Sequence, residues 1–128
     1  MRKSDFLTLH IPLTPGTRHL INEQSLSWVK PGCRIINTSR GSVIDETALA
    51  RALTKGTLSG AALDVFEVEP LPGDHLLLKA PNTLLTPHIS SSTQEALEKM
   101  SLQSAQGVLD VLHGKLPKYI VNPETLKL

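Results

Sequence analysis

Four residues carry charged or ionisable groups that could receive an anion or move a proton: Arg40, Asp64, Glu69 and His88. A guanidinium offers two parallel donors to a planar carboxylate and stays charged at every working pH, so Arg40 suits a small anion. Gly41 after it lets the backbone turn sharply and brings a ligand close. The competing reading of Arg40 is a surface arginine near a helix start. His88 is the only one of the five histidines that follows both an apolar run and a proline. An imidazolium can hand a proton to a carbonyl near neutral pH, and a carboxylate such as Glu69 beside it favours that charged form. Each has a plainer alternative: a structural histidine, and a solvated loop glutamate beside Pro70. Asp64 ends an apolar run, where a carboxylate is costly unless a ligand amide, an arginine or a backbone N–H meets it. It could equally cap the next turn.

These groups fall at the ends of four short apolar runs, 6–11, 34–37, 60–66 and 83–86. The runs are near-continuously apolar and do not alternate, which predicts strands covered on both faces in a parallel sheet. Their carboxyl ends read His10-Ile11-Pro12, Asn37-Thr38-Ser39-Arg40-Gly41, Asp64 and Pro87-His88. An open α/β sheet places its ligands at those ends. Between the runs, a short helix starts at 22–25 with Leu26 and Val29 on its apolar face and stops at Pro31-Gly32. Asp45 caps a second helix bearing Leu49, Ala52 and Leu53, with Gly56 past its end. The stretch 67–82 holds Pro70, Pro72, Gly73 and Pro81 and predicts loop, with one helical turn at 75–78. A long helix starts near Ser92 or Thr93 and runs to Gly114, and the tail 115–128, with Pro117 and Pro123, is expected to be extended.

The 128 residues carry 13 Lys plus Arg against 12 Asp plus Glu, with 40% hydrophobic side chains. This is globular composition with room for one domain. Interspersed charge gives no basic stripe for nucleic acid and no polybasic membrane patch. No apolar run is long enough to span a bilayer, and 1–5 (MRKSD) does not open a signal peptide. The expected compartment is therefore cytoplasmic, and the lone Cys33 agrees with it. No His/Cys cluster predicts a metal site.

The stretches 10–17 (HIPLTPGT), 36–43 (INTSRGSV), 60–70 (GAALDVFEVEP) and 85–89 (LTPHI) occur in the order found in the D-isomer-specific 2-hydroxyacid dehydrogenases. Arg40 precedes Glu69 by 29 residues, and Glu69 precedes His88 by 19. The chain resembles the second half of that family's NAD(P)-binding domain. The resemblance implies an α/β, Rossmann-like, partial doubly wound parallel sheet of about four strands with a long C-terminal helix. Residues 1–114 would form the C-terminal half of the dinucleotide-binding domain and 115–128 the tail. It implies that Arg40 binds the carboxylate and carbonyl of a 2-oxo acid, that His88 donates a proton to that carbonyl, and that Glu69 orients and charges His88. Asp64 would hold the nicotinamide carboxamide. Pro12, Thr38 and Ser39 would line the cofactor trough, and Ser90 and Ser91 stand where the family often has glycine or alanine. The implied cofactor is NAD or NADP. The implied substrate is a small 2-oxo acid, nearest to glyoxylate or hydroxypyruvate, with phosphoglycerate dehydrogenase as the runner-up.

No two of the eight glycines stand two positions apart, so G-x-G-x-x-G cannot be written in these residues. Two classes follow: the catalytic half of a larger reductase, or a non-catalytic remnant or interaction module that kept the fold. The strand at 6–11 is expected to lie at an open sheet edge, which predicts a homo-oligomer. Without the glycine turn, the chain by itself is expected not to hold NAD(P)H tightly.

Overall fold

Asn22, Asp45 and Thr93 each precede a run with helical spacing, and each becomes a helix N-cap in the computed structural model, which describes residues 1–125. Strands β1 (Phe6–Leu9), β2 (Cys33–Asn37), β3 (Leu58–Leu63) and β4 (Thr83–Leu85) form one parallel sheet in the order β1-β2-β3-β4. Helix α1 (Glu23–Leu26) lies between β1 and β2 in the chain, and α2 (Glu46–Thr54) between β2 and β3. Single 3₁₀ turns occupy Gly41–Val43 and Leu76–Leu78.

The caps satisfy helix-end donors that would otherwise lack partners. Asn22 Oδ1 accepts from the Ser25 N–H at 3.0 Å while Ser25 Oγ accepts from the Asn22 N–H at 2.8 Å. Asp45 Oδ1 accepts from the Ala48 N–H at 3.0 Å. Leu26, Leu49 and Leu53 on these helices pack with Leu9, Ile35, Leu58 and Leu63 of the sheet in one core.

Within residues 1–90 the sheet is covered on one face only. The rows Leu7–Ile35–Ala61–Thr83 and Leu9–Asn37–Leu63–Leu85 face the core, while Thr8, Ile36, Ala62 and Leu84 share a row on the other face. On that face Phe6 is 59% and Leu84 65% exposed, with the Arg34 guanidinium 5.5 Å from the centre of the Phe6 ring. The expectation of strands covered on both faces is corrected here. The reason lies in the helices: α1 and α2 both pack on the core face, and residues 1–90 supply no helix for the other, where apolar Phe6, Ile36 and Leu84 stand beside polar, charged or small Thr8, Arg34, Gly60 and Ala62.

The last residues of all four strands, Leu9, Asn37, Leu63 and Leu85, pair in register across the sheet. The loops 10–14, 38–41, 64–70 and 86–90 therefore leave from a single edge, the carboxyl ends of the strands.

Residues divide into two compact units, 1–90 and 91–128. The stretch 1–114 thus spans the first unit and the long helix of the second. That helix, α3 (Gln94–Leu112), is capped by Thr93, whose hydroxyl accepts from the Ala96 N–H at 3.2 Å, and ends at Gly114 with φ of 69°. Beyond it 115–122 has no regular structure and Pro123–Thr125 forms a 3₁₀ turn, which interrupts the expected extended tail; residues 126–128 lie outside the described residues. Among the described residues no helix is long and apolar enough to cross a membrane.

Candidate active site

Glu69 and His88 come from different loops and meet. His88 Nδ1 lies 2.7 Å from Glu69 Oε2, and Glu69 Oε1 accepts from the Phe66 N–H at 2.9 Å. The hydrogen bond from His88, with help from the Phe66 N–H, holds the Glu69 carboxyl below its ordinary value. An ionised Glu69 can only accept, so the Nδ1 proton belongs to the histidine and Nε2 is the ring atom left for other chemistry. One flank of the pair borders a cavity of about 550 Å³ lined also by Phe66, Pro70, Leu71, Leu85 and Pro87.

His88 has φ of 55°, a left-handed conformation that a histidine adopts only when its surroundings hold it. Asp64 supplies the hold. It is 3% exposed at the end of β3; its Oδ1 accepts from the Thr86 hydroxyl at 2.6 Å and from the Ile89 N–H at 2.9 Å, and its Oδ2 accepts from the Ser90 N–H at 2.8 Å. Burial alone would push this carboxyl up, but the hydroxyls of Thr86 and Ser90 and the two backbone N–H groups outweigh it and hold it well below the usual carboxylate range. Asp64 therefore grips the chain on both sides of His88.

Arg40 sits on a turn wired by Asn37. The buried Asn37 accepts at Oδ1 from both the N–H (3.0 Å) and the hydroxyl (2.8 Å) of Ser39, and its Nδ2 donates to Arg40 O at 2.9 Å. The Arg40 side chain is exposed; its Nη1 donates to Ser39 O at 2.6 Å, and it forms no ion pair among the described residues. A Cβ on Gly41 would land on the Phe66 carbonyl group and 2.5 Å from Glu67 N, so only glycine lets the Arg40 turn lie against the loop that carries Glu69.

The remaining expected residues are spread along the same edge. Pro12 is exposed, and its carbonyl accepts from the Thr17 hydroxyl at 2.7 Å. Thr38 is exposed and Ser39 half-buried. Ser90 touches Asp64, whereas Ser91 opens the second unit. The residues of the first unit offer hydroxyls, backbone groups and one carboxylate. Apart from Arg40, none of the four loops has a lysine or arginine to meet a pyrophosphate. Sequence reasoning gave no role to Asn37, Thr86 or Glu46. An Asn-x-Ser pattern at a strand end signals a side-chain-built turn; nothing local signals the other two.

A parallel sheet with Arg40, Asp64, Glu69 and His88 all in the loops at the carboxyl ends of its strands has the architecture of open α/β proteins that bind a ligand at that edge. Residues 1–90 match the D-isomer specific 2-hydroxyacid dehydrogenase, NAD binding domain, and the chain belongs to that family. It is 48% identical over 128 residues to a glyoxylate reductase of Thermofilum pendens, covering all of this chain and 38% of that protein. It is 45% identical over 127 residues to glyoxylate/hydroxypyruvate reductase B of Pectobacterium carotovorum, covering 99% of this chain and 40% of that one. A D-isomer specific 2-hydroxyacid dehydrogenase from Xanthobacter autotrophicus, solved with NADPH and MES, superposes with a TM-score of 0.82 at 37% identity, covering 94% of this chain and 49% of that chain. The chain thus spans about two fifths of the length of the curated relatives it matches.

Proposed function

We propose that this chain carries the anion-binding and proton-donating part of an NAD(P)-dependent reductase that converts a small 2-oxo acid, of the glyoxylate or hydroxypyruvate kind, to its D-2-hydroxy acid. The observation that carries the proposal is the 2.7 Å bond between His88 Nδ1 and Glu69 at the sheet edge that also bears Arg40. Arg40 meets the substrate carboxylate with two parallel N–H groups. Glu69 keeps a proton on Nδ1 and stabilises the imidazolium, and Nε2 delivers its proton to the carbonyl oxygen as the alkoxide develops. Asp64 keeps the His88 turn in its left-handed conformation and could share its Oδ2 with a carboxamide. Pro12, Thr38, Ser39, Ser90 and Ser91 line the nicotinamide end. When bound there, NAD(P)H supplies the hydride. In this reading 1–114 works as half of a dinucleotide-binding domain and 115–128 as its tail.

The test is an exchange: this chain replaces the matching 128 residues of the Thermofilum pendens enzyme. The folded chimera should oxidise NADH or NADPH in the presence of glyoxylate, and His88→Asn should lower kcat by about 10²–10⁴-fold. A folded but inactive chimera would sink the proposal. It would favour the second reading, a non-catalytic module that binds other chains, which the open strand β1 and the exposed Phe6 support. The 128 residues alone should give no saturable NADH fluorescence change in the micromolar range, because they lack the glycine-rich turn that cradles a pyrophosphate.

A further inference from the structure

We propose that Glu46 is a positioning residue that clamps both feet of the loop carrying Glu69 and so sets the bond between Glu69 and His88. Glu46 is the first residue of α2 and follows the Asp45 cap, yet it is 6% exposed. Its Oε1 accepts from the Glu67 N–H at 2.8 Å, and its Oε2 lies 3.2 Å from His75 Nε2. His75 Nδ1 accepts from the Leu77 N–H at 3.3 Å, so the ring proton sits on Nε2 and points to Glu46. Residues 67 and 75 are the two ends of one loop, and Glu69 lies between them. That loop has no strand pairing of its own, because Pro70 and Pro72 have no N–H to offer. Its shape therefore depends on how its ends are held.

The Glu67 side chain adds a second anchor at the same foot, bonding His19 Nε2 at 3.0 Å and lying 3.6 Å from the Arg18 guanidinium. Glu46 also stands six residues after Arg40, across the close approach that Gly41 permits. One segment, 40–46, thus carries the anion receptor and grips the loop of the acid pair. Burial pushes the Glu46 carboxyl up, against the pull of the Glu67 N–H and His75, and the nearby Glu67 and Glu69 charges push the same way. The contribution of Glu46 to stability therefore falls as the pH rises from its ordinary value through the raised one.

The inference rests on reading Glu69 and His88 as the acid pair, and its test reads that pair directly. In the 128-residue chain labelled with ¹⁵N-histidine, long-range ¹H–¹⁵N spectra at alkaline pH report which ring nitrogen of His88 keeps its proton. Wild type should show the Nδ1–H form and Glu69→Gln a shift toward Nε2–H. Glu46→Gln should move His88 at least halfway to the Glu69→Gln pattern, with little change in Tm. Leu53→Ala, a destabilising change on the same helix, should leave His88 as in wild type. If Glu46→Gln does not fold, His75→Ala removes one foot and should move His88 the same way. A wild-type pattern in Glu46→Gln (in His75→Ala, where that variant carries the test), or an equal shift in Leu53→Ala, would overturn the clamp. A Glu69→Gln spectrum identical to wild type would instead overturn the pair, and the clamp with it.

Discussion

Arg40 and Asp64 stand for two different uses of charge, one turned outward to a ligand and one inward to the chain. The Arg40 guanidinium is exposed and bonds only the Ser39 carbonyl among the described residues, leaving donors for an anion. In the chimera, Arg40→Lys keeps the charge but loses the two-pronged geometry, so kcat/KM for glyoxylate should fall roughly a hundredfold or more, about 3 kcal/mol. Steady-state kinetics that stay within a few-fold of the unmutated chimera would remove Arg40 from carboxylate binding. Asp64 works through linkage. Its carboxyl sits below the ordinary value of 3.8, so the folded state binds that proton less tightly than the unfolded one. The stability it contributes is full above the ordinary value and is lost as the pH falls through the lower folded one. Asp64→Asn should cost about 1–3 kcal/mol at neutral pH, because the amide NH₂ faces a donor, and should flatten the acid limb. Denaturant melts over a pH series measure both effects, and an acid limb as steep as wild type would show that Asp64 does not carry it.

At the scale of elements, much was legible because the signals are local. Asn22, Asp45 and Thr93 announce their helices within three residues, and the apolar runs lie within two or three residues of the observed strands. The Glu69–His88 pair is implied by the family resemblance, while the residues alone leave a structural histidine and a solvated glutamate open. Glu46 was not legible, because its partners lie 21 and 29 residues away and no periodicity links them. The uncovered face was missed for a similar reason: Ile36 and Leu84 read as buried, and only the register shows them beside Thr8 and Ala62. Two glycines separate the roles the residue can play. Gly41→Ala would drive a Cβ into the Phe66 carbonyl, backbone that cannot swing aside, and should cost about 3 kcal/mol or more. Gly107→Ala, inside α3 with only Pro117 Cβ near at 4.0 Å, should stabilise that helix by about 0.5–1 kcal/mol. Thermal melts and slowed amide exchange along α3 would register the difference; equal effects from the two changes would contradict the packing described for Gly41.

At the scale of the molecule, β1 pairs with β2 on one side, and the sheet order places it at an edge. The ladder fixes which of its groups face outward. The Arg34 N–H donates to Asp5 O at 2.9 Å, and Phe6 pairs with Arg34. In a parallel ladder the next bonds toward β2 are then made by Leu7 and Leu9, and the N–H groups of Phe6 and Thr8 point away from the sheet. No proline or lysine stands within β1 to blunt that edge, and the exposed Phe6 ring lies beside it. The 128-residue chain should therefore self-associate by strand addition, most simply as a two-fold dimer that pairs the two β1 edges. Multi-angle light scattering over a concentration series should show a mass above 13.9 kDa that rises with concentration. Thr8→Pro removes one outward N–H and spares the bonds to β2, so it should shift the chain toward monomer while leaving its circular dichroism unchanged. Phe6→Lys should do the same by placing charge on the edge. A wild-type chain that stays monomeric at every concentration, or an assembly that both substitutions leave intact, would place the contact elsewhere than β1.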